Sequence, residues 1–235
     1  MNQKPPSIFN DVIGPVMRGP SSSHCAAATR IGLLARALMD NIVESVLIEF
    51  DKDGSLATTH EFQGSDMGLC GGLLGFKPSD ERLARYRDEI LKAGVQVRFN
   101  TGAYGDPHPN TYRLSLKNAK ETHTLVALST GGGMIEVIEI DGHAVSMSGD
   151  LYETLVYFRQ DENIIVQNIE SILKRRCEIQ VLKSRKNEKN FIRIRTGHPL
   201  DNKQIEAISA GDEIVVLKFL PPVLPILTQH TNLIS

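Results

Sequence analysis

Hydrophobic spacing predicts two amphipathic helices in the first 150 residues. In 24–38, apolar residues recur at the i, i+3, i+4 and i+7 positions of one helical face. They are Ile31, Leu34, Ala35 and Leu38. Serines just before this segment are typical residues of a helix start. A second amphipathic helix is expected over 79–92, with Ser79 at its start and Gly94 beyond its end.

Short runs that alternate or are rich in β-branched residues predict strands in the same region. Asp141-Gly142, between two of these runs, is a strong signal for a tight hairpin. Helices and strands in this order indicate a mixed α/β domain over 1–150. The predicted strands are 45–50, 95–99, 111–116, 122–128, 134–140 and 143–147.

After residue 150 the pattern becomes strand–helix–strand–strand–helix–strand. This βαββαβ order is typical of the ferredoxin-like fold and extends over 151–222, with a tail over 223–235. The fold class expected for the whole chain is therefore α/β (α+β) with two domains. The predicted strands are 154–159, 178–182, 191–195 and 213–220, and the predicted helices are 162–176 and 201–210.

Composition narrows the classes of partner. The 26 basic and 28 acidic residues leave a net charge of −2, too small an excess to predict a nucleic-acid partner. No apolar run reaches the ~18 residues of a membrane span. The first residues are polar and contain prolines, without the apolar core of a secretory signal. We therefore expect a cytoplasmic protein with no membrane contact.

Three cysteines make a disulfide framework or a metal site in this chain unexpected. Cys25, Cys70 and Cys177 are far apart, and no Cys-x-x-Cys pair occurs. Cys25 and Cys70 lie among small apolar residues, which indicates buried, unreactive thiols. No metal ligands are predicted on this chain.

The segment 13–24 contains the first candidate site. Glycines and prolines there lead into Ser21, Ser22, Ser23 and His24 at a helix start. Unpaired backbone N–H groups and the helix dipole favour a carboxylate or phosphate at such a place. A capped helix with a surface histidine explains the same residues without a ligand.

Two further polar segments are candidates for contact with a small polar ligand. Gln63, Ser65 and Asp66 follow Thr58, Thr59 and His60 at another probable helix start. His108 and Asn110 flank Pro109 in the long loop 100–110, where a histidine could take part in proton transfer. A capped loop and a polar surface turn are the simpler explanations.

A fourth segment, 129–133, has the sequence Ser-Thr-Gly-Gly-Gly. Glycines allow the backbone to approach a ligand or another backbone closely. No phosphate-binding consensus is present, so we expect a tight turn or a packing point.

The four segments together resemble the β chain of iron–sulfur-dependent L-serine dehydratases over residues 7–150. The resemblance rests on the Ser-Ser-Ser-His motif, the Gly-Ser-Asp motif at 64–66, the segment 72–78, the His-Pro-Asn motif and the glycine motif within 129–135, all in the family's order. Gln63 stands where that family has a histidine, and His60 lies three residues earlier. The last third resembles an ACT domain by its element order.

This resemblance implies a fold, a partner and a reaction. The first domain would be like the allosteric substrate-binding domain of some phosphoglycerate dehydrogenases. A partner α chain would carry the cysteine ligands of a [4Fe–4S] cluster, whose iron acts as a Lewis acid on the serine hydroxyl. Loss of water gives an aminoacrylate, which hydrolyses to pyruvate and ammonia. His108 and Asn110 would be the catalytic contribution of this chain.

Two alternatives to this function remain open. A related enzyme could act on another hydroxy amino acid or hydroxy acid, which the change to Gln63 permits. A protein without catalysis could instead sense an amino acid through the binding domain and the ACT-like domain. In each case a small amino-acid-like ligand is expected. Exposed edges of a four-stranded sheet also predict a homo-oligomer.

Overall fold

The computed structural model describes residues 17–159, 162–174, 177–183, 190–211 and 213–224. The beginning of the first motif, 13–16, therefore lies outside the described residues, as do most of the charged loop 184–190 and the tail from 225. Within the described ranges, no helix is both long enough and apolar enough to cross a membrane.

Contacts divide the chain into two units, which we describe separately. The first contains residues up to Ile140 together with Ala144–Ser148, and the second contains Asp141–His143 and Gly149–Ser235. Both are mixtures of helix and strand, so the predicted α/β (α+β) class is confirmed.

The first unit is built on a six-stranded sheet in the order β2-β1-β3-β4-β5-β6, with β1 parallel to β2 and antiparallel to β3. Its strands are β1 (Ser45–Asp51), β2 (Gln96–Gly102), β3 (Thr111–Lys117), β4 (Thr122–Gly131), β5 (Met134–Ile140) and β6 (His143–Met147). Its helices are α1 (Ser22–Leu38), α2 (Leu56–Thr59), α3 (Ser65–Leu73) and α4 (Tyr86–Lys92).

The directions of the strands bring the ends of several of them, and the loops that follow, to one edge of this sheet. β1, β2 and β4 end there, and β3 and β5 begin there, because β1 is parallel to β2 and the following strands alternate in direction. We call this the loop edge. The predicted hairpin at the opposite end of β5 is confirmed, with positive φ angles of 48° at Asp141 and 80° at Gly142.

Helix α1 packs against α3 at very short range because glycines lie at the contact. A Cβ atom added at Gly68 would lie 2.2 Å from the backbone oxygen of Cys25, and one added at Gly72 would lie 2.2 Å from that of Thr29. One added to Gly32 on α1 would lie 2.5 Å from the oxygen of Leu69. Only residues without a side chain allow the two backbones to approach this closely.

The predicted apolar face of α1 is confirmed, since Ile31, Leu34, Ala35 and Leu38 are all buried. The predicted helix 79–92 is wrong in its first half. Residues Glu81–Arg85 form a 3₁₀ segment that precedes α4, and its cap is Asp80, whose side chain accepts from the N–H of Arg82. Asp80 can reach that N–H directly, and this leaves Ser79 outside the cap.

The second unit has the predicted βαββαβ order, with its antiparallel sheet arranged β10-β7-β9-β8. Helices α5 and α6 cover one face, where Val156, Ile165, Ile169 and Ile194 belong to one apolar core. Asp201 and Gln204 cap α6 reciprocally. The elements are β7 (Tyr152–Phe158), α5 (Glu162–Leu173), β8 (Glu178–Leu182), β9 (Asn190–Thr196), α6 (Asn202–Ser209) and β10 (Ile214–Leu220).

The opposite face of this second sheet carries a buried ion pair. Arg193 on β9 donates to both carboxylate oxygens of Glu153 on β7, at 2.6 and 2.9 Å. Arg195 adds a third bond to the same carboxylate at 3.2 Å. At the edge of the sheet, the apolar side chains of Val215 and Phe219 on β10 are exposed. The predicted homo-oligomer stays a prediction.

Replacing Gly72 with alanine tests the short contact between α1 and α3. Intrinsic helix propensity favours alanine over glycine by ~1 kcal/mol. The added Cβ cannot fit against Thr29 without moving the helices apart, and overpacking of this kind costs ~1–3 kcal/mol. We expect Gly72→Ala to lower the free energy of unfolding measured by urea titration.

Gly197→Ala is the matched control, because no heavy atom lies within 4 Å of a Cβ atom at that position. Its effect should stay within ~0.5 kcal/mol. A Gly72→Ala protein as stable as the unchanged chain would show that the helix contact does not depend on glycine.

Candidate functional site

The Ser-Ser-Ser-His motif lies at the start of α1, but its serines do not cap the helix as predicted. Ser21 is the N-cap residue and makes no side-chain cap bond. Its hydroxyl is instead 2.8 Å from Nδ1 of His24. Ser22 is exposed, while Ser23 and His24 are half-buried. The first turn of a 17-residue helix therefore has backbone N–H groups not capped by Ser21.

The turn between α2 and α3 packs against this helix start. The backbone N–H of Ser21 donates to the backbone oxygen of Gln63 at 3.3 Å. Gly64, the N-cap of α3, has a φ of 85°, and a Cβ atom there would lie 2.9 Å from Cδ of Pro20. The N-cap of α3 is therefore Gly64, whose left-handed backbone suits glycine, and neither Ser65 nor Asp66 takes that position.

Three polar side chains of this turn lie in or near the interior. Ser65 is buried and accepts a hydrogen bond from the hydroxyl of Tyr112 at 3.0 Å. Asp66 is buried, and its Oδ1 is 2.6 Å from Nδ1 of His60. Gln63 Oε1 is also buried and has no hydrogen-bond partner among the described residues. The ligand contacts predicted for these three residues stay predictions. Ser65 and Asp66 have hydrogen-bond partners within the chain.

The His-Pro-Asn loop is attached to the start of α2. The hydroxyl of Ser55 donates to Oδ1 of Asn110, and the backbone N–H of Ser55 donates to the oxygen of Pro109 at 2.9 Å. His108 is half-buried, and its Nδ1 accepts the backbone N–H of Asn110 at 3.1 Å. The expected surface loop is therefore anchored on both sides of its proline.

A carboxylate at the end of β1 holds the earlier part of the same loop. Asp51 accepts backbone N–H groups from Asp53, Tyr104 and Asp106 at 2.9–3.0 Å. These donors, with that of Asp53 contributing most, hold the pKa of the Asp51 carboxyl below its usual value. Asp106 is held in turn by Arg113, whose Nε lies 3.1 Å from Oδ1.

The glycine motif forms the tight turn between β4 and β5, with positive φ at Gly131, Gly132 and Gly133. The backbone N–H of Ser129 donates to the oxygen of Asn110 at 3.0 Å. Gly133 accepts from the guanidinium of Arg30 on α1. One hydrogen bond thus joins the Ser-Ser-Ser-His motif to the turn at 63–66, and another joins the His-Pro-Asn motif to the glycine motif. Ser55 ties the His-Pro-Asn motif to the start of α2, and Arg30 ties the glycine motif to α1.

Arg30 is a buried cation that the sequence reasoning missed. It is 2% exposed, and its Nε has no partner among the described residues. Burial lowers the pKa of Arg30 to about 10. The sequence does contain a signal for this burial, because Arg30 stands in a stretch of α1 made of small and apolar residues. A charged residue on a buried helix face is unusual and points to a specific role.

Other residues that hold the site gave a weaker signal. Asp51 directly follows a predicted strand, Ser55 lies in an ordinary turn, and His60 belongs to a polar segment in which nothing indicates a carboxylate partner. Their roles depend on partners far along the chain, which spacing alone does not show.

The site geometry suits a small polar molecule. Imidazole and hydroxyl side chains lie in these loops beside a first turn of α1 that the Ser21 side chain does not cap. Among the described residues, no cluster of three or more His, Cys, Asp or Glu side chains could hold a metal ion.

Comparison with known proteins places the chain in a family. No family model matches it. Over 217 residues it is 31% identical to the L-serine dehydratase, beta chain of Peptoniphilus asaccharolyticus, which covers 89% of this chain and 96% of that protein. The chain belongs to the L-serine dehydratase beta chain family. It is also 39% identical over 144 residues to the probable L-serine dehydratase, beta chain of Bacillus subtilis (strain 168). That second match spans 61% of this chain and 64% of the Bacillus protein, less than two thirds of it.

Two thiols of this beta chain lie in the interior. Cys25 and Cys70 are 0% and 2% exposed, which confirms that they are buried. Burial raises the pKa of Cys25 to about 11 and that of Cys70 to about 12. Both thiols are therefore protonated at neutral pH. Burial also raises the pKa of the half-buried Cys177.

Thiol titration under native conditions checks these environments. At pH 8, a pKa of about 11 leaves about one thiolate in a thousand, and a pKa of about 12 leaves about one in ten thousand. We expect an aromatic disulfide reagent, which exchanges with an accessible thiolate and releases a coloured thiolate, to modify one cysteine, Cys177, before the chain unfolds, and all three in denaturant. Cys177→Ser should remove the native reaction. Rapid modification of two or three thiols in the native chain would contradict the burial of Cys25 and Cys70.

Proposed function

We propose that this chain is the β subunit of an L-serine dehydratase that acts with a separate α chain. The reaction removes water from L-serine and yields pyruvate and ammonia. The observation that supports this proposal is that hydrogen bonds join the four sequence motifs in two pairs, Ser21 to Gln63 and Ser129 to Asn110, and anchor the second pair to α2 and α1 through Ser55 and Arg30. A protein with only capped helices and surface turns would have no need to connect them.

The [4Fe–4S] cluster of the proposal belongs to the α chain. The residues described here do not fit such a group, because among them no cluster of three or more His, Cys, Asp or Glu side chains could ligate it. The contribution of this chain is therefore to bind and orient the amino acid and to offer hydrogen-bonding and proton-accepting side chains.

Binding of the substrate carboxylate is assigned to the start of α1. Backbone N–H groups of the first turn and the positive end of the helix dipole favour an anion there. Ser22 and Ser23 lie in that turn, and Ser21 and His24 already contact each other beside it. Gln63 lies at the same place through its bond to Ser21 and offers an amide to a polar group of the ligand.

His108 and Asn110 are assigned to the reacting part of the substrate. The Nδ1 atom of His108 accepts a backbone N–H, so in the neutral ring the proton is on Nε2. His108 therefore offers a hydrogen bond and is not a base. Asn110 is oriented by Ser55, which leaves the amide nitrogen of its side chain for the substrate.

Co-expression with the cysteine-bearing α chain of the same genome, under anaerobic conditions, tests the proposed function. We expect the two chains to co-purify and to release pyruvate from L-serine. The isolated β chain should show no optical spectrum of a four-iron cluster after reconstitution. A panel of hydroxy amino acids and hydroxy acids shows whether serine is preferred. No turnover of any of them, with ligand binding retained, would favour the amino-acid sensor instead.

Replacing His108 with alanine tests the role of the loop. The lost side chain accepts one hydrogen bond, so the free energy of unfolding should fall by only about 0.5–1.5 kcal/mol. Loss of one preorganised donor at the reacting atom should lower kcat by ~10²–10³-fold. Association with the α chain should be unchanged, as judged by co-purification.

His198→Ala, in the second unit, is the control for loss of a histidine outside the site. It should keep full turnover. If His108→Ala also keeps full turnover, the catalytic assignment is wrong. A large fall in its melting temperature would instead show that His108 is a structural residue.

A further inference from the structure

His60 and Asp66 form a histidine–carboxylate pair of the kind that orients a catalytic imidazole. Nδ1 of His60 lies 2.6 Å from Oδ1 of Asp66. The Asp66 side chain is 8% exposed and that of His60 is 21% exposed. The carboxylate is therefore shielded from water, while part of the imidazole remains accessible.

The surrounding residues hold the ring of His60 in place. It lies 4.9 Å from the ring of Phe50 and is stacked 5.3 Å from that of Phe99, measured between centroids. The backbone oxygen of His60 accepts the N–H groups of Ser65 and Asp66 at 2.9 and 3.3 Å. Ring and backbone are both restrained, which lowers the cost of placing the imidazole against a ligand.

The charge on Asp66 decides which nitrogen of His60 carries the proton. Burial raises the pKa of Asp66, and the hydrogen bond from His60 opposes that rise. Asp66 also lies in the first turn of α3, where the helix dipole favours the carboxylate. A carboxylate only accepts hydrogen bonds, so Nδ1 of His60 must donate. The lone pair of neutral His60 is then on Nε2, which has no partner among the described residues.

His108 has the opposite arrangement. Its Nδ1 accepts a backbone N–H, so its proton is on Nε2. The two histidines lie near opposite ends of α2, because the His108 loop contacts Ser55 and His60 is the C-cap. At 1.5 Å per residue, Ser55 and His60 are ~7–8 Å apart along the helix axis. This spacing is that of the two backbone positions, Ser55 holding the His108 loop and His60 ending α2.

We propose that His60, oriented by Asp66, is the base that removes the α-proton of the substrate, while His108 donates a hydrogen bond to the leaving oxygen. This inference rests on the proposed function. Asp66 is a positioning residue, since it acts through His60. The two histidines then have different roles, because His60 accepts a proton at Nε2 and His108 donates a hydrogen bond from Nε2.

The proton and electron count closes without a redox step. The Cα–H bond of L-serine breaks, and its proton moves to Nε2 of His60. The bonding electrons form the Cα=Cβ double bond as the Cβ–O bond breaks. Hydroxide leaves while Nε2–H of His108 hydrogen-bonds to it, and the proton on His60 then converts it to water. Both histidines end in their starting states.

Nitrogen NMR of the isolated β chain tests the two tautomers without any dehydratase assay. We expect Nδ1–H at neutral His60 and Nε2–H at neutral His108. In Asp66→Asn, the amide can both donate and accept, so the preference of His60 for Nδ1–H should weaken. Detection of Nε2–H at His60 in the unchanged chain would overturn the proposal. Because no α chain is present, this result is separate from failure of the assembled enzyme to act on serine.

His60→Asn tests catalysis with the hydrogen bond retained. The amide nitrogen of asparagine can replace Nδ1 as donor to Asp66, but asparagine has no basic nitrogen to replace Nε2. In the assembled enzyme we expect kcat to fall by ~10²–10⁴-fold, with the KM for L-serine and the melting temperature nearly unchanged. His60→Phe keeps an aromatic ring but leaves Asp66 unpaired, so it should lower the melting temperature as well.

His198→Asn is the matched control and should keep full turnover. Retention of more than a third of kcat in His60→Asn would overturn the assignment of His60 as the base. If His60→Asn loses turnover and its melting temperature also falls by as much as that of His60→Phe, the assignment is overturned as well, because that result shows a structural role.

Discussion

The short contact between α1 and α3 is the constraint on which the site depends. Glycines at 32, 68 and 72 bring the two backbones within a distance that no side chain permits. The same approach places the turn before α3 against the start of α1, so that Gln63 bonds to Ser21 and Gly64 lies against Pro20. Two segments 40 residues apart in sequence thereby become one surface. Loosening of the helices would separate the start of α1 from the turn before α3.

Buried polar groups around the candidate site hold loop segments in place. Asp51, Asp66 and Arg30 are all nearly inaccessible to water, where an unpaired charge is costly. Asp51 accepts backbone N–H groups of the long loop, and Asp66 is paired with His60. Asp51 thereby holds the loop 100–110, and Asp66 holds the end of α2. Arg30 reaches only the oxygen of Gly133 among the described residues. These groups lie around the site and not in the apolar core of the second unit.

Hydrogen-bond direction gives the two histidines different properties, although they are the same residue type. His108 receives a backbone N–H and His60 faces a carboxylate. A chain with both histidines in one tautomer would have two donors or two acceptors and could not serve both ends of an elimination.

Much of the fold and the list of motifs followed from the sequence alone, since both depend on local spacing. The α1 face, the hairpin at Asp141 and the βαββαβ order are set by residues close together in the chain. The helix at 79–92 was wrong where Asp80, a better placed acceptor, capped a 3₁₀ turn. The sequence also identified His108, Asn110 and the serines as candidates. Only the tertiary structure decided that Ser65 and Asp66 have internal partners, that Arg30 is buried and that His60 faces a carboxylate. Each of those facts depends on contacts between segments whose approach is set by side-chain packing, and spacing along one chain carries no measure of that distance.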